Sequence, residues 1–313
     1  MSQQRPSHIS VIDPIGPAID RVKLMLFSPF DLGKWFTVGF CAWLAYFGTG
    51  GGSGGGGPQG NFPSQSGEAK EEITEGLAAA KAYLLYNMHW IIPVAIIVIV
   101  AIICLGLLIT WLNSRGKFMF LHCVAQNKSE VKIPWSRFRK HGNSLFLFRF
   151  VLGLITFGLT IVPVIGIVLL AVAMTSGTVN IASVMGIIIF ISIIFILSII
   201  LVVIRKFTFD FVVPIMFLRT ESCTDAWRQF MEILAVNKAR LTLYLLFQIV
   251  ISIAIATIIM LGVCIGCCLC CISVLLFVPY IGTVILLPIF VFKQAYPLYY
   301  LQQFGPDFDV FGP

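Results

Sequence analysis

With 313 residues, 58% of them apolar and only 11% charged, the chain does not have the composition of an ordinary soluble domain. Its formal net charge of +7 comes without a nucleic-acid motif. The basic residues flank apolar runs, so anionic lipid is the expected partner and nucleic acid is not.

Residues 1–34 read as a cytoplasmic amphipathic segment and 35–313 as a multi-pass membrane domain. In the first, Ile15, Ala18, Ile19, Val22, Met25 and Leu26 recur at helical spacing, with Asp20, Arg21 and Lys23 off the stripe. That spacing predicts a helix over Pro14–Phe27 lying on the membrane, ended by Ser28-Pro29. No cleavable signal peptide is expected, because residues 1–33 are polar or amphipathic and no A-x-A site follows.

Trp35–Gly48 is the first apolar run and is short for a crossing. Next come a Gly-rich outer linker, 48–60, and an Ala-rich outer helix over 68–88. Glu68, Glu71, Glu72 and Glu75 stand at the start of that helix, where its dipole favours acids. Five longer runs follow, Ile91–Leu112, Leu145–Met174, Ile181–Ile204, Leu241–Val263 and Ile281–Leu301, each able to supply the ~20 residues of a span. The expected fold is therefore an all-α integral membrane protein with six spans, or five if Trp35–Gly48 does not cross.

Two polar segments separate spans on the basic side. In Asn113–Ser144, Lys and Arg interleave with aromatics, and Pro134-Trp135 marks a break at interfacial depth. Its Lys128, Lys132, Arg137, Arg139 and Lys140 are the expected contacts for anionic headgroups. In Glu221–Leu234, Ser222 and Asp225 have capping-box-like spacing. Trp227, Phe230, Met231 and Leu234 form a stripe there, predicting a second surface helix.

Nineteen of the 21 Lys and Arg fall in 1–34, 113–150, 205–240 and at Lys293. The alternate segments hold only Lys70 and Lys81. Positive residues stay inside, so both termini are expected to be cytoplasmic, in a bacterial inner membrane.

A faint internal repeat pairs Met119-Phe-Leu with Met216-Phe-Leu, and Val162-Pro-Val-Ile-Gly with Val278-Pro-Tyr-Ile-Gly. A true repeat would put a turn at both Val-Pro sites and end the second long span near Val162. Transporters contain such repeats, and the Pro-interrupted last run (Pro279, Pro288, Pro297) is the kind of break that lines their sites. A transport path would then use Gln248, Thr257, Thr283 and Lys293. Arg149 and Asp210, near span ends, are read instead as snorkelling or locally paired.

Cys264, Cys267, Cys268, Cys270 and Cys271 contain overlapping C-x-x-C spacings. Thiolates so spaced can bind metal or cycle as a dithiol. The flanks are apolar and no His, Asp or Glu is near, so packing is the favoured reading, with a disulfide or a metal site left open. No cofactor is expected. His8, His89, His122 and His141 are scattered, and no H-E-x-x-H, G-x-S-x-G or P-loop is present.

Lys117-Phe-Met-Phe-Leu-His-Cys-Val-Ala-Gln-Asn-Lys, Pro134-Trp135, Asn143-Ser-Leu-Phe-Leu-Phe-Arg and Tyr299-Tyr-Leu-Gln-Gln-Phe-Gly-Pro carry a resemblance. With the amphipathic N-terminal segment, the chain resembles a group of uncharacterised bacterial multi-pass membrane proteins. Its layout is similar to the membrane domain of glycerophosphodiester phosphodiesterases, whose catalytic domain it lacks. The resemblance implies a six-span plan and no site residues. The expected function is a non-enzymatic membrane scaffold or accessory component, acting with a protein partner or a second copy. The alternative is a transporter or channel for a small solute or lipid.

Overall fold

The computed structural model describes residues 9–47, 86–175, 181–219, 221–268 and 278–311. Among them every regular element is helical. The helices are α1 (Ile15–Leu26), α2 (Leu32–Tyr46), α3 (Met88–Gln126), α4 (Lys132–Arg137), α5 (Arg139–Thr175), α6 (Ile181–Arg219), α7 (Cys223–Val236), α8 (Lys238–Cys268), α9 (Pro279–Ile285) and α10 (Leu287–Gln302). The linker 48–60, nearly all of 68–88, and Cys270 and Cys271 lie outside the described residues.

Four helices, α3, α5, α6 and α8, are long and apolar enough to cross a membrane. Each also extends past its apolar stretch. At about 1.5 Å per residue, the 39 residues of α3 reach about 58 Å, nearly twice the hydrocarbon core. Its first two-thirds expose Ile, Val and Leu, whereas Asn113–Ala125 is buried throughout. In α6 the stretch from Phe207 to Met216 is likewise mostly buried, whereas near their starts α5 buries Gly142 and Leu145 and α8 buries Leu241, Tyr244 and Gln248. The surplus turns of the four helices meet α1, α2, α7 and α10 in one buried hub rich in aromatic side chains, including Phe211, Phe230, Tyr244, Tyr296 and Tyr300.

Two expected spans are built otherwise. Residues 35–46 of the first apolar run belong to α2, whose 15 residues reach only about 22 Å. It packs antiparallel to the hub half of α3. Lys34 Nζ donates to Asn127 Oδ1 at 2.9 Å at one end, and Cys41 and Cys123 place their sulfurs 3.8 Å apart midway. At the other end Asn113 Nδ2 donates to the carbonyls of Ala45 (2.5 Å) and Phe47 (3.2 Å), capping α2. Gly116 permits this approach. A Cβ there would lie 2.6 Å from the Leu44 carbonyl carbon and 2.7 Å from the Ala45 nitrogen. The run Ile281–Leu301 breaks at Leu286 into α9 and α10, because Pro288 has no N–H with which to continue the first helix. Most of α10 is buried in the hub.

The ends of α3 and α1 also interlock. Arg21 Nε and Nη2 donate to the carbonyls of Val124 and Ala125 (2.9 and 2.6 Å), and Asn127 closes α3 in the left-handed conformation. Ser10 and Gln303 exchange two hydrogen bonds, and Tyr296 donates to Val11 O at 2.8 Å. The first and last described segments are thus tied together.

Three expectations need correction. Ala18, Val22, Met25 and Leu26 are buried against protein, so most of the α1 stripe faces the hub and not lipid, although Ile19 is exposed. The same holds for α7, where Ser222 caps the helix with Asp225 and Phe230 is fully buried while Met231 is exposed. Helical spacing records an apolar partner without saying which. Val162-Pro163 makes no turn, since α5 continues through Pro163 to Thr175, whereas Val278-Pro279 starts α9. The two Val-Pro sites are therefore not equivalent, although Met119 and Met216 are both buried in the hub.

Burial in α7 pushes the Cys223 thiol up to about 12 from its ordinary range by desolvating the thiolate. The thiol is therefore neutral at pH 8, with a thiolate fraction about a thousandfold below that of an exposed cysteine. Maleimide should label Cys223 at that reduced rate in the folded protein and normally after denaturation, which peptide mapping by mass spectrometry would check.

Candidate functional site

Where the hub meets the exposed stretches of α3, α5 and α6, the helices part around a cavity of about 750 Å³. Five cationic side chains line it: Lys117 from α3, Arg149 from α5, Arg205 and Lys206 from α6, and Lys293 from α10. On the span side its wall is apolar, with Leu107, Leu152, Leu154 and Val202. Tyr46 and Phe209 close the hub side.

Each cation is held differently. Lys117 is only 6% exposed, and its Nζ sits 3.6 Å from the centre of the Tyr46 ring and 4.7 Å from that of Phe209. Ring faces stabilise an ammonium but do not neutralise it. Arg149 Nη1 donates to Asn113 Oδ1 (2.7 Å) and Ser114 Oγ (3.1 Å), and its guanidinium lies 5.2 Å from the Phe209 ring centre. Lys206 pairs with Asp210 at 2.8 Å. Asp210 stands on a π-helical turn, Thr208–Val212, inserted in α6. The carboxylate also accepts a 2.7 Å hydrogen bond from Tyr244, whose hydroxyl accepts one from Gln248 at 2.9 Å. Among the described residues, Lys117, Arg149, Arg205 and Lys293 have no carboxylate within 4.0 Å.

Five basic groups facing one carboxylate, beside low-dielectric walls, favour the entry of an anion. The lining offers cations, aromatic and apolar side chains and the hydroxyls of Thr110 and Thr208. That is equipment for binding an anion.

Of the expected transport residues, only Lys293 lines the cavity. Gln248 is buried, with its amide spent on Tyr244, and reaches the cavity wall only through Asp210 and Lys206. Thr257 returns its hydroxyl to Ile253 O on an exposed part of α8, and Thr283 sits in α9. The four do not converge. Cys264 is an exposed free thiol, and nothing is described for the side chains of Cys267, Cys268, Cys270 and Cys271. Among the described residues no three His, Cys, Asp or Glu gather as a metal site.

Lys128, Lys132, Arg137, Arg139 and Lys140 are all exposed, along the connection from α3 through α4 to the start of α5. Beside them Arg115 lies over the rings of Trp111 (4.2 Å) and Trp135 (5.0 Å) and donates to Asn143 Oδ1 at 3.2 Å. An Arg between two Trp is a fitting arrangement at headgroup depth.

Sequence reasoning missed the cavity because its cations span 177 positions and each can be read singly as snorkelling. A usable signal was present: Lys117, Arg149, Arg205, Lys206 and Lys293 all fall near the basic-side end of an apolar run. Aligning the runs by depth puts the five on one level.

No curated protein and no solved structure matches the chain. Residues 9–284, most of its length, match the family of unknown function DUF7544, and the chain belongs to that family.

Proposed function

We propose that the protein is a non-enzymatic integral membrane component that gathers anionic lipid at the cytoplasmic face and serves there as a scaffold or accessory to a partner. The observation that carries this reading is the cation distribution. The cavity cations and the exposed Lys128–Lys140 group both lie on the hub side of spans whose apolar windows are 0–6% buried. Spans so open to their surroundings suit contact with lipid or a partner better than enclosure of an aqueous path.

Six crossings and cytoplasmic termini belong to the same proposal. Each long helix has one end in the hub and the other at the far side, where α5 and α6 meet through Gly166 against Phe190 and Gly186 against Leu170. The sorting of Lys and Arg into alternate segments, added to the four long helices, supports six. The likeness in layout to the phosphodiesterase membrane domain points the same way, and bacterial inner membrane is the location proposed.

One-sided reporters at Gly55 and Pro313 should read outside and inside respectively, and the opposite at either position sinks the topology. In nanodiscs of mixed phosphatidylglycerol and phosphatidylcholine, the protein should enrich the anionic lipid around itself. High salt, or glutamine at all five of Lys128, Lys132, Arg137, Arg139 and Lys140, should reduce that enrichment. An unbiased lipid shell would overturn the reading.

A second reading, a carrier for lipid or a small anion, is favoured by one feature, the cavity at the span boundary with Lys293 in its wall. Protein-dependent lipid scrambling or anion flux in sealed vesicles would promote it over the first.

A further inference from the structure

We infer that the cavity between α3, α5, α6 and α10 is a specific site for the phosphate of an anionic phospholipid, with Lys117, Arg149, Arg205, Lys206 and Lys293 around the headgroup. This rests on the reading above and adds one defined site to a general preference for anionic lipid. Three observations carry it. Four of the five cations lack a carboxylate within 4.0 Å among the described residues, so the positive charge is not neutralised from within. Lys117 is almost fully buried, where an ammonium is costly to keep without a counter-anion. Asn113, Ser114 and Asp210 hold Arg149 and Lys206 in place before any ligand arrives.

The apolar wall selects the source of the phosphate. Leu107, Leu152, Leu154 and Val202 continue into the lipid-exposed stretches of α3, α5 and α6. A headgroup seated among the cations would let its acyl chain leave along those side chains at bilayer depth. Free phosphate would leave that wall uncovered. A neutral glycerolipid would leave the cations unpaired.

The test is native mass spectrometry of the full chain in detergent, titrated with phosphatidylglycerol, phosphatidylcholine, diacylglycerol or inorganic phosphate. We expect one phosphatidylglycerol to bind more tightly than any other ligand. That single site should weaken by about tenfold or more in Arg149→Gln and in the double variant Arg205→Gln/Lys293→Gln. The five-residue surface variant should leave it intact. The double variant changes one exposed and one half-buried side chain, and an unchanged thermal unfolding midpoint establishes that it is folded.

Equal binding of diacylglycerol would show that the phosphate is not recognised. Inorganic phosphate competing at equal concentration would show that the anion, not the lipid, is the ligand. Either result overturns the inference. So does a tight site that survives both cavity variants and vanishes with the surface variant, an outcome that leaves the general preference for anionic lipid standing. That general reading has its own failure, an unbiased lipid shell in nanodiscs.

Discussion

Replacing Gly116 by alanine is expected to unfold the hub. The new methyl would sit 2.6 Å from the Leu44 carbonyl carbon and 2.7 Å from the Ala45 nitrogen, backbone atoms that cannot rotate aside. Relief requires α2 to move off α3. That displaces the Ala45 and Phe47 carbonyls from Asn113 and disturbs the pairing of Lys34 with Asn127. Overpacking of this kind costs about 1–3 kcal/mol or more, a large share of the stability of most folds. Gly106 on the same helix is the control. A Cβ there meets nothing within 4 Å, and alanine is the better helix former by about 1 kcal/mol. Thermal unfolding in detergent should show Gly116→Ala far below wild type and Gly106→Ala at or slightly above it. Equal midpoints for the two variants would mean that α2 does not pack as described.

Asn113→Ala carries the second large effect. The amide is 1% exposed and serves two partners at once, donating to the carbonyls that end α2 and accepting from Arg149. Alanine strands those carbonyls and takes from the guanidinium one of its fixed acceptors. Each buried group left unsatisfied costs about 1–3 kcal/mol, so the total expected is about 3–5 kcal/mol. Because one side chain meets both demands, a double-mutant cycle with Arg149→Met should be clearly non-additive. Additive losses would show that Asn113 and Arg149 act independently. Asn113→Asp should do less harm on the Arg149 side and more on the α2 side, since a carboxylate accepts from the guanidinium but repels the carbonyls.

The four long helices were legible because continuous apolar stretches of more than twenty residues have few uses other than crossing a bilayer. The capping of α7 by Ser222 and Asp225 was legible for an equally local reason. What escaped was what lies against each apolar face. In α1, Ala18, Val22 and Met25 have the same spacing whether they meet acyl chains or α10. In α2, the run from Trp35 is too short for a span and gives no sign that Gly116, more than seventy positions on, is the surface it fits. Proline was legible at 288, where a helix breaks, and misleading at 163, where α5 passes through. An unpaired carbonyl in a long helix can be tolerated when the rest of the helix is held. The cavity was the least legible part, since charge and depth must be combined across distant segments to find it.

The contacts joining Ser10, Val11 and Arg21 to Gln303, Tyr296 and Phe311 have a consequence for biosynthesis. Leu26 leaves the ribosome some 260 residues before Leu287. At synthesis rates of about 5–20 residues per second, α1 waits roughly 13–52 s for the helix that covers it. During that interval α3, α5, α6 and α8 emerge and can enter the bilayer. The apolar stripe of the newborn α1, beside Arg21 and Lys23, has the membrane surface as its nearest apolar refuge. The amphipathic pattern that suits a surface-bound helix therefore has a use in the nascent chain, before the last helix arrives and draws α1 off the lipid into the hub.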